Sequence, residues 1–282
     1  MIEDKDSNIV YLSKWLKIEH EDFYNKLIAL FNKLDIKHCI LKYTNDFWCR
    51  DYMPIQLGKD VFIKYRYYPD YLLRKKEDKE LITNCSRACK CIGVKYQETN
   101  LIIDGGNVVT CGDAIVMTDK VITENGYLIT DDYSELVSML TAIFGQKVII
   151  VPWKKHEGDE YGHADGFIKY AGDNNILMSN IKDEYPEEGK EIERILTDNG
   201  FNVVSLHFEK NRTNNWAYIN FLQVENKIIM PAFGLKEDEQ AMEQIQEMFP
   251  YCSIHPIEMR EVAEQGGALH CVTWNIKEES HE

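Results

Sequence analysis

Four short motifs, spread along the chain, carry residue types that can do chemistry together. They are Trp48-Cys49-Arg50-Asp51, Asp104-Gly105-Gly106-Asn107, Gly162-His163-Ala164-Asp165 and Gly266-Gly267-Ala268-Leu269-His270-Cys271. Between them they supply carboxylates, a histidine and a thiol. A thiolate can attack an electron-poor carbon, a histidine can move protons, and carboxylates can hold a cation. The set therefore favours covalent chemistry on a cationic carbon centre.

Asp51 and Asp165 favour a guanidinium as that cation. Two carboxylates that face one small pocket repel each other unless a cation lies between them. A guanidinium is planar, and its several N–H donors pair with carboxylates two at a time. Trp48 could stack on such a plane, although an aromatic residue beside a strand is more often part of the core.

His163 and Cys271 could supply the proton transfer and the nucleophile. We expect His163 and Asp165 to point the same way, because residues i and i+2 of a strand lie on one face. Cys271 needs a neighbouring cation to become a thiolate, since the pKa of an ordinary cysteine is about 8.5. Protonated His163 or a cationic substrate could provide that charge. By the same strand geometry, we expect His270 to point away from the site and to be structural.

A repeated order of elements explains how such distant motifs could meet. The order strand, turn, strand, helix, strand is predicted for residues 52–96, 108–153, 163–208 and 217–257. In the first of these units the helix is expected at about 74–89 and the last strand at 92–96. Strand 267–276 joins 8–12, 21–34 and 38–43 to give a fifth unit across the chain ends. Such radial repetition removes open sheet edges, as in propellers. We therefore predict an α/β propeller with five-fold pseudo-symmetry that forms a single domain, residues 1–282.

The position of the motifs in this repeat predicts the site. Each one falls at the start of the first strand of its unit, and segment 216–220 occupies the same place in the fourth unit. In a ring, equivalent positions face the axis at the same end. We therefore expect five segments to converge on one central pocket.

The net charge of the protein limits the classes of molecule that it is expected to bind. Lys and Arg total 32 and Asp and Glu total 47, so the formal net charge is −15. That charge repels nucleic acid and anionic membranes and attracts cations, although it also serves solubility. No stretch approaches the roughly 18 apolar residues of a membrane span, and the charged first residues do not form a signal peptide. We expect a cytoplasmic protein.

The eight cysteines are expected to be free thiols, as is usual in a reducing compartment. Cys85, Cys89 and Cys91 are close enough in sequence to suggest a metal site. No nearby histidine or second cysteine pair completes such a site, so buried thiols are the favoured interpretation.

The four motifs, in this order, resemble those of the pentein superfamily of guanidine-modifying enzymes. Agmatine deiminases and the bacterial peptidylarginine-deiminase type are the most similar families. The resemblance runs from about residue 45 to the C-terminus and includes Tyr218-Ile219-Asn220-Phe221. It implies a five-fold pseudo-symmetric ring of ββαβ units, which the repeat predicts independently.

The resemblance also implies catalytic roles. Cys271 would attack the guanidinium carbon, and Asp51 and Asp165 would hold the guanidinium nitrogens. His163 would protonate the departing amine and then activate the water that hydrolyses the Cys-bound amidino intermediate. Asp104 stands where relatives often carry a glutamate, so its side chain must reach the proton-transfer position with one methylene less.

Substrate binding would involve Trp48, Asn220 and Asp159, although a solvated loop charge is an equal interpretation of Asp159. The implied reaction converts agmatine, or a related small guanidine or arginine derivative, to a ureido product and ammonia. Neither a metal nor an organic cofactor is implied. A role in putrescine and polyamine metabolism and a homodimer are further expectations.

Three other functions remain open at this stage. An amidinotransferase would use the same intermediate and pass it to an amine. A guanidine-binding protein without turnover could keep the fold. A third interpretation makes His163, Asp165 and Cys271 metal ligands, but no second histidine is in phase with them.

Overall fold

Five three-stranded sheets build the fold. The computed structural model describes residues 1–155, 160–208 and 215–279. Its strands are β1 (Ile9–Ser13), β2 (Lys37–Leu41), β3 (Ile55–Gly58), β4 (Val61–Arg66), β5 (Gln97–Ile102), β6 (Val109–Cys111), β7 (Ala114–Thr118), β8 (Lys147–Val151), β9 (Ile168–Gly172), β10 (Asn175–Met178), β11 (Asn202–Ser205), β12 (Leu222–Val224), β13 (Lys227–Ala232), β14 (Ser253–Glu258) and β15 (Thr273–Ile276).

Every sheet has the same internal order. The first strand pairs antiparallel with the second, and the second pairs parallel with the third. This holds for β3-β4-β5, β6-β7-β8, β9-β10-β11 and β12-β13-β14. The chain ends supply the fifth sheet, in which β15 pairs antiparallel with β1 and β1 pairs parallel with β2. The predicted five-fold α/β propeller is therefore confirmed.

Helices connect the strands and pack on the sheets. They are α1 (Lys14–Glu19), α2 (Glu21–Lys33), α3 (Cys49–Tyr52), α4 (Ser86–Ile92), α5 (Lys120–Gly126), α6 (Tyr133–Phe144), α7 (Ile181–Glu184), α8 (Pro186–Asp198), α9 (Glu237–Met248) and α10 (Arg260–Ala263). Helices α2, α6, α8 and α9 contact β2, β8, β11 and β14 respectively. None of the described helices is long and apolar enough to cross a membrane.

Helix α6 shows how local sequence sets these elements. The side chain of Asp132 caps its first turn by accepting a backbone N–H, and Gly145 ends it with a φ of 67°. Leu136, Leu140 and Phe144 recur at four-residue intervals, so they lie on one face, and all three are buried. Capping at both ends and one apolar face together account for the helix.

The connection before β5 differs from the prediction. A helix was expected over residues 74–89, but α4 begins only at Ser86, after 3₁₀ turns at Asp70–Leu73 and Asp78–Leu81. Residues 74–80 are all charged and offer no apolar face to pack on the sheet. The strand expected at 92–96 is consequently displaced to β5. Helix α5 was not predicted.

The segments that carry the motifs are turns and, for Cys49–Asp51, the short helix α3, rather than strands. Strands β9, β12 and β15 begin at Ile168, Leu222 and Thr273, after the motifs, although the prediction placed the motifs inside them. Tight turns precede these first strands. They include 3₁₀ turns at Gly105–Asn107, before β6, and at Ala164–Gly166, before β9. Small residues favour such turns because they adapt to tight backbone curvature. The motifs nevertheless lie at the same end of the first strands β3, β6, β9, β12 and β15, which we call the inner strands.

Candidate active site

Three carboxylates and a histidine meet at the end of the inner strands. Nε2 of His163 lies 2.9 Å from Oδ2 of Asp104, and its Nδ1 lies 3.5 Å from Oδ1 of Asp51. Both carboxylates and the histidine are buried. The segments of three units therefore meet here as the repeat predicted, and the short side chain of Asp104 reaches His163.

Gly106 lies at the point where these side chains converge. Its backbone N–H donates to Oδ1 of Asp51 at 3.0 Å. A Cβ atom placed on Gly106 would lie 2.7 Å from that oxygen, 2.8 Å from Nδ1 of His163 and 3.2 Å from Oδ1 of Asp165. Residue 106 must therefore be a glycine for the three side chains to come together.

Asn107, the last residue of the same motif, connects two units. Its Oδ1 accepts the backbone N–H of Thr118 at 2.9 Å and that of Ala164 at 3.2 Å. The hydroxyl of Thr118 in turn donates to the carbonyl of Gly162 at 2.6 Å. These bonds fix the turn that carries His163 and Asp165 against the preceding unit.

The carboxylates set the charge of His163. Burial by itself would lower the pKa of His163, but Asp51, Asp104 and Asp165 outweigh it and raise the pKa to about 10. Burial raises the pKa of Asp51 to about 7, with Asp104 and Asp165 adding to the rise and His163 opposing it. His163 is consequently a cation at neutral pH, surrounded by more negative charge than it can balance.

Asp165 is held by His270, contrary to the expectation that His270 points away. Nδ1 of His270 lies 2.6 Å from Oδ2 of Asp165. Strand alternation does not apply because Cys271 and His270 precede β15 in a turn. Burial would raise the pKa of Asp165, but the bond from His270 and the charge of His163 lower it. Asp165 is therefore an anion with one oxygen engaged.

Cys271 is buried beside Asp165 and Asn220. Its Sγ lies 3.3 Å from Oδ1 of Asn220 and 3.9 Å from Oδ2 of Asp165. The same amide oxygen accepts the backbone N–H groups of His270 and Cys271 at 3.1 and 3.3 Å. Asn220 was predicted to bind substrate, and the structure places its amide oxygen against the turn that carries His270 and Cys271.

The thiol is not activated by the protein alone. Burial raises the pKa of Cys271 well above its ordinary value, and the negative charges of Asp165 and Asp51 raise it further. Two carboxylate oxygens in the site, Oδ1 of Asp104 and Oδ1 of Asp165, are buried and have no hydrogen-bond partner among the described residues. A cation with several N–H donors would satisfy those oxygens and lower the pKa of the thiol.

Aromatic side chains surround the site. Trp48 is half-buried, and its ring packs so closely on Gly267 that a Cβ atom there would lie 2.4 Å from it. Tyr71 and Tyr161 stack edge to face with their ring centres 4.9 Å apart, and each centre is 6.2 Å from that of His163. Sequence reasoning missed both tyrosines, although Tyr71 ends a tyrosine-rich stretch that could have drawn attention.

Two other predictions concern ligands. Asp159 lies outside the described residues, so its predicted role in binding stays a prediction. Within the part of the chain that the structure describes, no group of three or more His, Cys, Asp or Glu side chains could hold a metal ion. Cys85 and Cys89 are buried thiols, whereas Cys91 is exposed.

Comparisons with known proteins bear on the family and the fold of this chain. Residues 12–276 match the family model of the Porphyromonas-type peptidyl-arginine deiminases. A candidate agmatine deiminase of Mycoplasma capricolum is 23% identical over 300 residues, covering 91% of this chain and 80% of that protein. The structure of C. jejuni agmatine deiminase is similar with a TM-score of 0.77 at 20% identity, covering 98% of this chain and 94% of that one.

The fold also extends to a more distant enzyme class. An amidinotransferase from the saxitoxin pathway of Microseira wollei has a TM-score of 0.63 at 13% identity, with 99% of this chain and 97% of that chain covered. At these identities the structural neighbours show the fold alone. The family model, by contrast, spans nearly the whole chain. The chain therefore belongs to the Porphyromonas-type peptidyl-arginine deiminase family.

Proposed function

We propose that this protein hydrolyses agmatine, or a related small guanidine or arginine derivative, to a ureido product and ammonia. The observation that carries the proposal is the buried carboxylate of Asp165, because its Oδ2 lies 3.9 Å from Sγ of Cys271 and its Oδ1 has no hydrogen-bond partner among the described residues. A guanidinium is a planar cation whose N–H groups match such acceptors. The names of the similar agmatine deiminases support the same substrate class.

Substrate binding would activate the nucleophile. Burial raises the pKa of Cys271, and the charges of Asp165 and Asp51 raise it further as long as they are unbalanced. A guanidinium between them neutralises that charge, so the thiol releases its proton to solvent as the substrate binds. Cys271 would then be a thiolate only when a cationic substrate is bound.

The first chemical step forms the Sγ–C bond and breaks one C–N bond. The thiolate of Cys271 attacks the guanidinium carbon, while Asp51 and Asp165 hold the nitrogens and keep positive charge on that carbon. His163 donates a proton to the departing nitrogen, which leaves as ammonia. We assign this proton to Nδ1, because Nε2 is tied to Asp104 at the shorter distance of 2.9 Å.

The second step returns the enzyme to its starting state. Neutral His163 takes a proton from water, and the hydroxide adds to the carbon of the amidino intermediate. The C–S bond then breaks, Cys271 leaves as thiolate, and the protonated ureido product gives its proton to solvent. The sum is one water consumed and one ammonium ion formed for each guanidinium.

The surroundings of the site support a small substrate in a reducing compartment. Tyr71 and Tyr161 beside His163 offer aromatic faces to an alkyl chain or a second cationic group.

All eight cysteines are free thiols, which suits the cytoplasm. The proposal includes a single catalytic domain and a role in polyamine metabolism; a homodimer stays a prediction.

Ammonia release tests the proposal. Agmatine, arginine, methylated arginines and other small guanidines are each incubated with the protein and with its Cys271→Ser variant, in the absence of any acceptor amine. We expect ammonia and ureido product from at least one guanidine, and none from Cys271→Ser. Cys39→Ser is the matched control, since that cysteine is exposed. Equal ammonia release by Cys271→Ser would refute the proposal.

An amidinotransferase is the second candidate, favoured by the structural similarity to one such enzyme. The two reactions break different C–N bonds. A deiminase expels ammonia and keeps the alkyl group in the adduct on Cys271, whereas an amidinotransferase expels the alkyl amine. Turnover that appears only when an acceptor amine is added would identify the transferase.

A further inference from the structure

A cavity of about 410 Å³ borders the candidate active site. Every inner strand contributes to its wall, through Gln56, Thr110, Lys169, Gln223 and Asn275. In each unit these residues follow the motif and lie within the strand. The cavity therefore lies farther along the ring axis than the candidate active site. Asp165 and His270 also line it, whereas Cys271 and His163 are not among its described lining residues. The cavity therefore adjoins the candidate active site at Asp165 and His270.

The first residues of the chain form part of this wall and place Asp4 in it. Nζ of Lys169 donates to Oδ2 of Asp4 at 2.5 Å, and Nδ2 of Asn275 donates to Oδ1 at 3.1 Å. The hydroxyl of Ser7 fixes the turn by donating to the carbonyl of Asp4 at 2.6 Å. Although burial would raise the pKa of Asp4, Lys169 and His270 lower it well below its usual value. Asp4 is a firmly held anion.

Asp4 touches the far side of the histidine that holds Asp165. Its Oδ2 lies 3.4 Å from Nε2 of His270, while Nδ1 of the same ring lies 2.6 Å from Oδ2 of Asp165. Carboxylates only accept hydrogen bonds, so Nδ1 donates its hydrogen to Asp165, while the carboxylate of Asp4 faces the other nitrogen of the ring. Oδ2 of Asp165 is thereby engaged, and its Oδ1, near Gly106, has no hydrogen-bond partner in the part of the chain that the structure describes.

We propose that Asp4 is a positioning residue, which acts through His270 to hold Asp165 in the orientation that receives the guanidinium. The inference rests on the proposed function, because it concerns the same carboxylate. Asp4 does not touch the reacting atoms. It sets the rotation of the His270 ring and supports the hydrogen that His270 gives to Asp165.

Two reagents of the same shape test this without turnover. 2-Chloroacetamidine is cationic and needs the carboxylates, whereas 2-chloroacetamide is neutral and reports only thiol access and reactivity. Alkylation rates of Cys271 are measured by mass spectrometry of its peptide, and the ratio of the two rates gives the preference for the cation. Asp6→Asn is the control, since Asp6 lies on the same 3₁₀ turn and is exposed.

We expect Asp4→Asn to lower the cation preference about tenfold, equivalent to about 1.4 kcal/mol. Asp6→Asn should leave it unchanged, and Asp4→Glu, which keeps the carboxylate, should retain most of it. In a His270→Asn background, Asp4→Asn should have no further effect, because the residue that transmits its influence is gone. Asp4→Ser provides a second variant without the carboxylate if Asp4→Asn does not fold.

Different failures of this experiment have different meanings. An unchanged preference in Asp4→Asn, or a loss of the same size in the His270→Asn background, would overturn the role of Asp4 and leave the proposed function standing. Absence of any cation preference in the unsubstituted protein would overturn the proposed function and this inference with it.

Discussion

Replacing Asp104 with asparagine should lower the pKa of His163 without moving the ring. Asp104 lies 2.9 Å from Nε2 of His163 and is buried, so its charge acts with little screening. A hydrogen bond to a charged group is worth about 1.5–3 kcal/mol, and one pKa unit corresponds to about 1.4 kcal/mol. The pKa of His163, which is raised to about 10, should therefore fall by about one to two units.

The sign of the effect on catalysis follows from the proposed role of His163 as an acid. The proton it donates is available below its pKa and is lost as the pH rises through it. The alkaline limb of the pH–rate profile should therefore move to lower pH in Asp104→Asn. Asp104→Glu keeps the charge and should move the limb less, although its extra methylene must be accommodated in a buried site.

NMR titration of the histidine ring protons measures this pKa directly, and the His163→Gln variant identifies the resonance. Asp113→Asn is the matched control, because Asp113 is an exposed aspartate in the same unit. A His163 pKa that changes no more in Asp104→Asn than in Asp113→Asn would refute the reasoning that Asp104 sustains the charge of His163.

Three further predictions follow from the same contacts. Gly106→Ala should abolish ammonia release, because the added methyl would lie within 3 Å of Asp51 and His163. Gly126→Ala is the control and should stay active, because open space surrounds Gly126. Equal activity of the two variants would contradict the prediction. Asn220→Ala should lower the free energy of unfolding by about 1–3 kcal/mol in urea titrations, because the backbone N–H of Cys271 loses its acceptor. An unchanged urea midpoint of unfolding would argue against that hydrogen bond. The free energy of unfolding should fall between about pH 7 and pH 9, by at most about 1.4 kcal/mol per pH unit. The reason is that His163 keeps its proton in the folded protein, whereas the unfolded chain loses that proton above about pH 6.5. A slope of the same size in His163→Gln would assign the effect to another group.

The repeat could be predicted from sequence because its signals are local. The apolar face and caps of α6, and the turns between paired strands, depend on residues close to one another in the chain. Equivalent places in successive units then predict a shared end of the ring, which brought Asp51, Asp104 and His163 together correctly. The helix predicted over residues 74–89 was wrong at its start, because residues 74–80 are all charged and give a helix no apolar face to bury.

The inner details of the site depend on contacts between distant segments. Strand alternation placed His270 on the wrong side, because Cys271 belongs to a turn whose geometry Asn220 fixes from another unit. Asp4 gave no signal in the sequence beyond its charge, since its partners Lys169 and His270 are far along the chain. Such residues become visible only when the ring is assembled.

The mass of the adduct on Cys271 tests the central claim most directly. The protein is quenched with acid during turnover of its best guanidine substrate, and the Cys271 peptide is analysed by mass spectrometry. We predict an increase equal to the mass of the substrate less ammonia, confined to Cys271. A bare amidino group on Cys271, or an adduct on any other residue, would contradict deimination through this thiol.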